Sequence, residues 1–232
     1  MSLSSINCNS LNISSIGSFN QKLKIYGIVS LRTDIIMMSD IRLCNAQGTS
    51  SSGEITAAFR LTPYGSYEFF HNSNQNKRGV GVLIKRSASI SVLNQWRDGH
   101  DNILGLHLDR EGKKFNLIVV YGPNHVQANF FNDLRTCIAY LGDHPLIMGG
   151  DWNCTYSTSP PATNLDIFKM ANAPNLNHSK LLKKLCDDFE LCDPFRTKFP
   201  NRLEFTYLPS NALKKTAREL IFLSFRASCT AQ

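Results

Sequence analysis

The chain has 232 residues, of which 42% are hydrophobic and 19% charged, with a formal net charge of +7 and a sequence pI near 9.1. That balance is ordinary for a chain with a packed core rather than a disordered one, and no apolar stretch approaches the ~20 residues needed to span a bilayer. The excess of basic groups favours an acidic partner, nucleic acid being the usual one.

Seven cysteines with no C-x-x-C pair read as reduced core residues rather than a disulfide or zinc framework. The start MSLSSINCNS lacks a basic region followed by an apolar one, so the expectation is an intracellular protein, nuclear when acting on DNA. No linker divides the composition into halves, which predicts a single domain over residues 1–232.

In chain order, an apolar run at residues 3–6 predicts a first strand that leads into Asn7-Cys-Asn9. Residues 19–31 place Leu23, Ile25, Ile28 and Leu31 near helical spacing, and the next strand, residues 35–38, leads into Ser39-Asp40. Residues 47–53 read as a Gly/Ser surface loop. The texture then turns to β, with strands expected at 66–72, 79–85, 90–96, 102–108 and 115–121, joined in succession as an antiparallel meander.

A helix is predicted over residues 127–141, with Phe130, Phe131, Leu134, Ile138 and Leu141 on one stripe, followed by a strand at 146–148. Residues 157–164 read as a loop, and Ser179 as the N-cap of a helix to Glu190. Two strands close the pattern, residues 205–208 and 220–223, joined by a basic hairpin over 209–219. Such alternation predicts an α/β (α+β) fold with two stacked, mostly antiparallel sheets flanked by helices.

Four of the apolar runs end in polar side chains suited to hydrolysis. Asn7, Asp40, Tyr121, Asn124, Asp151 and Asn153 follow strands, and strand-end loops on a rigid sheet are where functional groups gather. An acid and an amide two residues apart after Gly149-Gly150 read as a pair that handles a metal ion or a phosphate.

The segments Ile6-Asn7-Cys-Asn9-Ser-Leu-Asn12, Met38-Ser-Asp40-Ile-Arg-Leu43, Arg78-Gly-Val-Gly-Val-Leu-Ile84, Tyr121-Gly-Pro-Asn124, Gly150-Asp-Trp-Asn153 and Phe205-Thr-Tyr-Leu208 fall in the order and spacing of a known series. Together the chain resembles the endonuclease/exonuclease/phosphatase superfamily, and within it the apurinic-type endonuclease domain of non-LTR (LINE-type) retrotransposons. The resemblance implies a four-layered α/β sandwich of the deoxyribonuclease I type that binds Mg²⁺, with Mn²⁺ an alternative, and nicks double-stranded DNA to leave a 3′-hydroxyl for target-primed reverse transcription. It further implies a monomer joined to a downstream reverse transcriptase in a longer polyprotein.

Carried onto this sequence, the resemblance gives Asn7 a contact to metal or phosphate, Asp40 the metal, Tyr121 the phosphate, Asp151 the attacking water and Asn153 a non-bridging oxygen. Arg42, Asn124, Thr206, Asn211, Lys214, Lys215 and Arg218 are the candidate DNA contacts, the last four in the basic hairpin. Independently of family, hard Mg²⁺ wants carboxylate oxygen, and a carboxylate aligned with water supplies a nucleophile.

The sequence departs from the family pattern in three places. Asp40 stands where a glutamate is usual, Glu219, carried over as a candidate catalytic residue, stands where an aspartate is usual, and the terminal Ser-Asp-His motif with its strand is missing, so a domain lacking its last strand and impaired in activity is expected. Two alternatives stay open: a catalytically inactive nucleic-acid-binding or interaction domain, and another phosphoesterase of the superfamily.

Overall fold

The computed structural model describes residues 6–14, 21–43, 51–60, 62–63, 65–74, 77–124, 128–156, 167–168, 176–199, 215–216 and 219–224. Two sheets pack face to face. The first contains β1 (Cys8–Asn12), β2 (Ile35–Ser39), β3 (Tyr67–Asn72) and β4 (Val80–Lys85) in the order β1-β2-β4-β3. The second contains β5 (Ile90–Arg97), β6 (Ile103–Arg110), β7 (Lys113–Tyr121), β8 (Leu146–Asp151) and β11 (Glu219–Ser224) in the order β11-β8-β7-β6-β5. Pairing is parallel for β1 with β2 and for β7 with β8, and antiparallel elsewhere in both sheets.

The central strand β2 explains the layering. All five of its residues are buried, so it reads as an unbroken apolar run rather than an alternation. Ile35 and Met37 face the second sheet, where Leu106, Leu117 and Val119 meet them. Ile36 and Met38 face the other way, against α1 (Gln21–Val29) and α2 (Ser51–Arg60) through Ile25, Ile28, Ile55 and Phe59. On the far side, Ile118, Val120 and Met148 pack against α3 (Ala128–Leu141) and α4 (Leu176–Asp188) through Phe130, Leu134, Leu182 and Leu185. Helices, sheet, sheet and helices make four layers.

Several expectations need correction. The first strand runs over Cys8–Asn12, later than residues 3–6, most of which lie outside the described residues. The five-strand succession is divided between the sheets: β3 and β4 belong to the first, β5 to β7 to the second. The crossing is made by one 3-10 turn, Arg86–Ala88, closed by Ser89 in the left-handed region at φ 53°. Part of the supposed Gly/Ser loop is the start of α2. Helix α4 begins before Ser179, which is fully buried inside it instead of capping it.

A short helix, α5 (Pro194–Lys198), starts where Asp193 accepts the Arg196 N–H and proline takes the first helical position. Of the basic hairpin, Lys215 lies in β10 (Lys215–Thr216), which pairs with β9 (Ile167–Phe168). Residues 205–208 and 157–164, with Thr206, Asn211, Lys214 and Arg218, lie outside the described residues. Cys137, Cys154 and Cys186 are buried and outside any disulfide, while Cys192 is exposed. Among the described residues no helix is long and apolar enough to cross a membrane.

A buried carboxylate clamps the two sheets. Asp98, after β5, accepts bonds at Oδ1 from the Asn72 amide on β3 at 2.7 Å and from the Asn102 and Ile103 N–H groups at 3.0 Å each. Its Oδ2 is buried without a hydrogen-bond partner, and burial pushes the carboxyl pKa above its ordinary 3.8 despite those bonds. Because the folded value is the higher one, this group's contribution is full below pH 3.8 and is lost as pH rises through the folded value. Asp98→Asn keeps the Oδ1 acceptor and removes the titration. We therefore expect the stability advantage of the parent over Asp98→Asn to shrink as pH climbs from about 4 to about 7 in urea unfolding, and a pH-independent difference rejects this account.

Candidate active site

The ends of β1, β2, β7 and β8 come level at one edge of the sandwich. Register sets this: Asn12 pairs with Ser39 across the first sheet, and Tyr121 with Asp151 across the second. The antiparallel β11 begins at the same edge, with Glu219 opposite Asp151, although the Glu219 side chain lies outside the described set.

Asp151 is the hub. Its Oδ2 accepts the Asn12 side-chain amide at 2.6 Å, and its Oδ1 accepts the Asn153 N–H at 2.9 Å. Its backbone N–H donates to the Ser39 hydroxyl at 3.1 Å, and that hydroxyl donates to the Val120 carbonyl at 2.8 Å. Ser39 therefore stitches β2 to both β7 and β8 where the functional groups emerge. Asn153 donates its amide to the Gly122 carbonyl at 2.7 Å and shares a side-chain hydrogen bond with Tyr121. Below them Trp152 is almost wholly buried, its indole edge-on to Phe130.

The backbone at this rim is strained in the way functional sites are. Asp40, Arg42 and Asn153 adopt left-handed φ of 58°, 50° and 50°. Gly150 holds φ 143°, and a Cβ placed there would overlap the Val120 carbonyl and its carbon. Only glycine lets β8 approach β7 this closely one residue before Asp151.

Asp40 follows β2 nearly buried, and both of its oxygens are held by the Arg42 guanidinium, at 2.8 Å from Nε and 2.7 Å from Nη2. Burial pushes the Tyr121 phenol above its ordinary pKa, and the Asp40 and Asp151 carboxylates add to the effect. Tyr121 is therefore a neutral O–H donor at physiological pH, flanked by both acids. Fixing the Arg42 fork on Asp40 raises the guanidinium pKa and keeps it charged.

Asn7 is not at this rim. Its carbonyl accepts the Asp34 and Ile35 N–H groups at 3.1 Å each, and its own N–H donates to Asp34 Oδ2, all at the start of β2. Five residues of extended chain carry β1 from there to Asn12, which occupies the place expected for Asn7. The sequence does carry a signal for Asn12, which also follows an apolar residue and precedes Ile13-Ser14, but a strand starting at residue 3 ends too early to reach it. Ser39 enters the sequence pattern only as Asp40's neighbour. Asn124 is exposed just beyond β7, and Arg42 is occupied by Asp40.

The donor chemistry fits a hard divalent cation: two nearly buried carboxylates, Asp40 and Asp151, flank one phenol, and the amide of Asn12 bonds one of them. Among the described residues no three His, Cys, Asp or Glu side chains form such a group, so water or substrate oxygens would fill the remaining positions. The obstacle is Arg42, which already satisfies Asp40.

No family model matches the chain. It is 28% identical over 167 residues to the "Transposon TX1 uncharacterized 149 kDa protein" of Xenopus laevis, a match covering 70% of this chain and 12% of that protein. The fold is shared with an AP endonuclease from Archaeoglobus fulgidus (TM-score 0.68, 14% identity, 94% of this chain and 86% of that one). It is shared also with a 3′-5′ exonuclease from Neisseria meningitidis (TM-score 0.65, 15% identity, 94% and 86%) and with a humanized D. rerio TDP2 (TM-score 0.58, 18% identity, 98% and 85%). These likenesses show the deoxyribonuclease I-like sandwich of AP endonucleases.

Gly150→Ala is expected to lower stability by about 2–4 kcal/mol, combining the positive φ with the carbonyl overlap. Gly27→Ala, in α1 with open space where the added methyl would sit, is the control and is expected to gain about 0.5–1 kcal/mol. Equal denaturant midpoints for the two would refute the close-approach argument.

Proposed function

We propose that the chain hydrolyses phosphodiesters in double-stranded DNA, nicking one strand to leave a 3′-hydroxyl. The observation that carries this reading is the fixed Asp151 carboxylate, held at both oxygens by Asn12 and Asn153 beside a neutral phenol at a strand-end rim. A carboxylate so oriented accepts a proton from water while the water oxygen attacks phosphorus. The bond from phosphorus to the 3′ oxygen breaks, and that oxygen takes a proton from solvent. Tyr121 and Asn153 offer uncharged donors to the phosphate, which bind it without adding negative charge.

Mg²⁺, or Mn²⁺ in its place, would be held through Asp40, with Asp151 and Asn12 beside it, and would supply charge neutralisation on the phosphate. The net charge of +7 supports a nucleic-acid partner. Similarity to a segment of a transposon protein supports a place in a longer polyprotein, where the 3′-hydroxyl primes reverse transcription in the nucleus. The closed Asp40–Arg42 pair favours one rival, a silent fold that binds DNA without cutting it.

The test is nicking of supercoiled plasmid with Mg²⁺, Mn²⁺ or EDTA. Asp151→Ala is expected to slow nicking by ~10²–10⁴. Asn12→Ala should also slow it, whereas Asn7→Ala leaves it unchanged. A folded parent that binds DNA and never nicks it establishes the silent rival.

A further inference from the structure

Asp40 and Arg42 lie two residues apart, and the backbone forces them together. Both are left-handed, and the Ile41 and Arg42 N–H groups are pinned to the Gly79 and Arg78 carbonyls at 3.0 Å and 2.7 Å. The fork is thus preset to reach the carboxylate. Charged donors stabilise a buried carboxylate more strongly than neutral ones, and the guanidinium supplies two. Exposure is lopsided: the Asp40 side chain is 5% exposed and that of Arg42 44%. Arg42 therefore keeps a solvent face at the rim, close enough to Tyr121 for its charge to act on the phenol.

Two consequences follow from elementary electrostatics. A divalent cation approaching Asp40 meets a fixed positive charge already seated on both oxygens, and like charges on one small anion repel. A guanidinium fork also fits a phosphate as well as a carboxylate. We propose that Arg42 is a two-position cation: without substrate it closes Asp40, and with a phosphodiester at the rim it moves to the phosphate and opens Asp40 to the metal ion. Arg42 is then a substrate-positioning residue, and substrate and metal bind cooperatively. This inference rests on the reading of the rim as a phosphodiester site.

The coupling is measured without turnover, in an Asp151→Asn background. Free Mn²⁺ is followed by its EPR signal during titration of the protein, with and without a short DNA duplex whose own Mn²⁺ uptake is subtracted. Arg42→Gln is expected to tighten Mn²⁺ binding about tenfold in the absence of DNA, a typical size for such coupling. DNA is expected to tighten Mn²⁺ binding to the parent and to leave Arg42→Gln unmoved.

A second variant guards against loss of fold in the first. Asp40→Asn releases the guanidinium, so it should weaken Mn²⁺ binding while tightening metal-free DNA binding. Unchanged Mn²⁺ affinity in folded Arg42→Gln, or unchanged DNA affinity in folded Asp40→Asn, overturns the proposal. Exchange seen in a protein that never nicks plasmid keeps this inference and removes only the hydrolytic reading.

Discussion

Everything at the rim depends on keeping two sheets in lateral register, and one hydroxyl marks where that is enforced. The apolar layer between the sheets resists separation but is non-directional, so by itself it tolerates sliding. Ser39 adds direction. Its oxygen receives the Asp151 N–H and its proton goes to the Val120 carbonyl, so the last residue of β2 is locked to the ends of two strands in the facing sheet. In a fully buried setting such bonds are costly to leave unmade. With that lock in place, Asn12 from the first sheet and Asp151 from the second meet at hydrogen-bond distance.

Much of the architecture was legible because hydrophobic period is a local property. The alternation and apolar runs behind β3 to β7, and the stripe Phe130, Phe131, Leu134 behind α3, depend only on neighbours in sequence. The misplaced elements share a different cause. Helix α2 opens on Ser51-Ser52-Gly53, poor helix formers, and is held by Ile55 and Phe59 packing under the first sheet. Tertiary burial decided it, which no local pattern reports. The split of the strand succession turns on Ser89 taking a left-handed conformation, a position where no glycine announces the turn.

The site shows the same division. Asp151, Asn153, Asp40 and Tyr121 announce themselves as polar residues ending apolar strands, and the structure places all four at one edge. Which asparagine of the first strand joins them depends on parallel pairing with β2, a partner 27 residues away, so Asn7 and Asn12 could not be separated by local pattern. The Asp40–Arg42 closure was equally hidden, since residues two apart on a strand share a face but rarely bond. Two left-handed residues in the segment make the contact.

The Asn12–Asp151 bond joins residues separated by 139 positions. During synthesis β1 and β2 emerge long before β8, and the first sheet has to wait, its inner face uncovered, until the strands of the second are made. Contacts of such long range pay loop-closure entropy before they return any stability, so they form late and slowly. The rim that Asn12 and Asp151 build together is thereby absent from the nascent chain and arrives only with the completed sandwich.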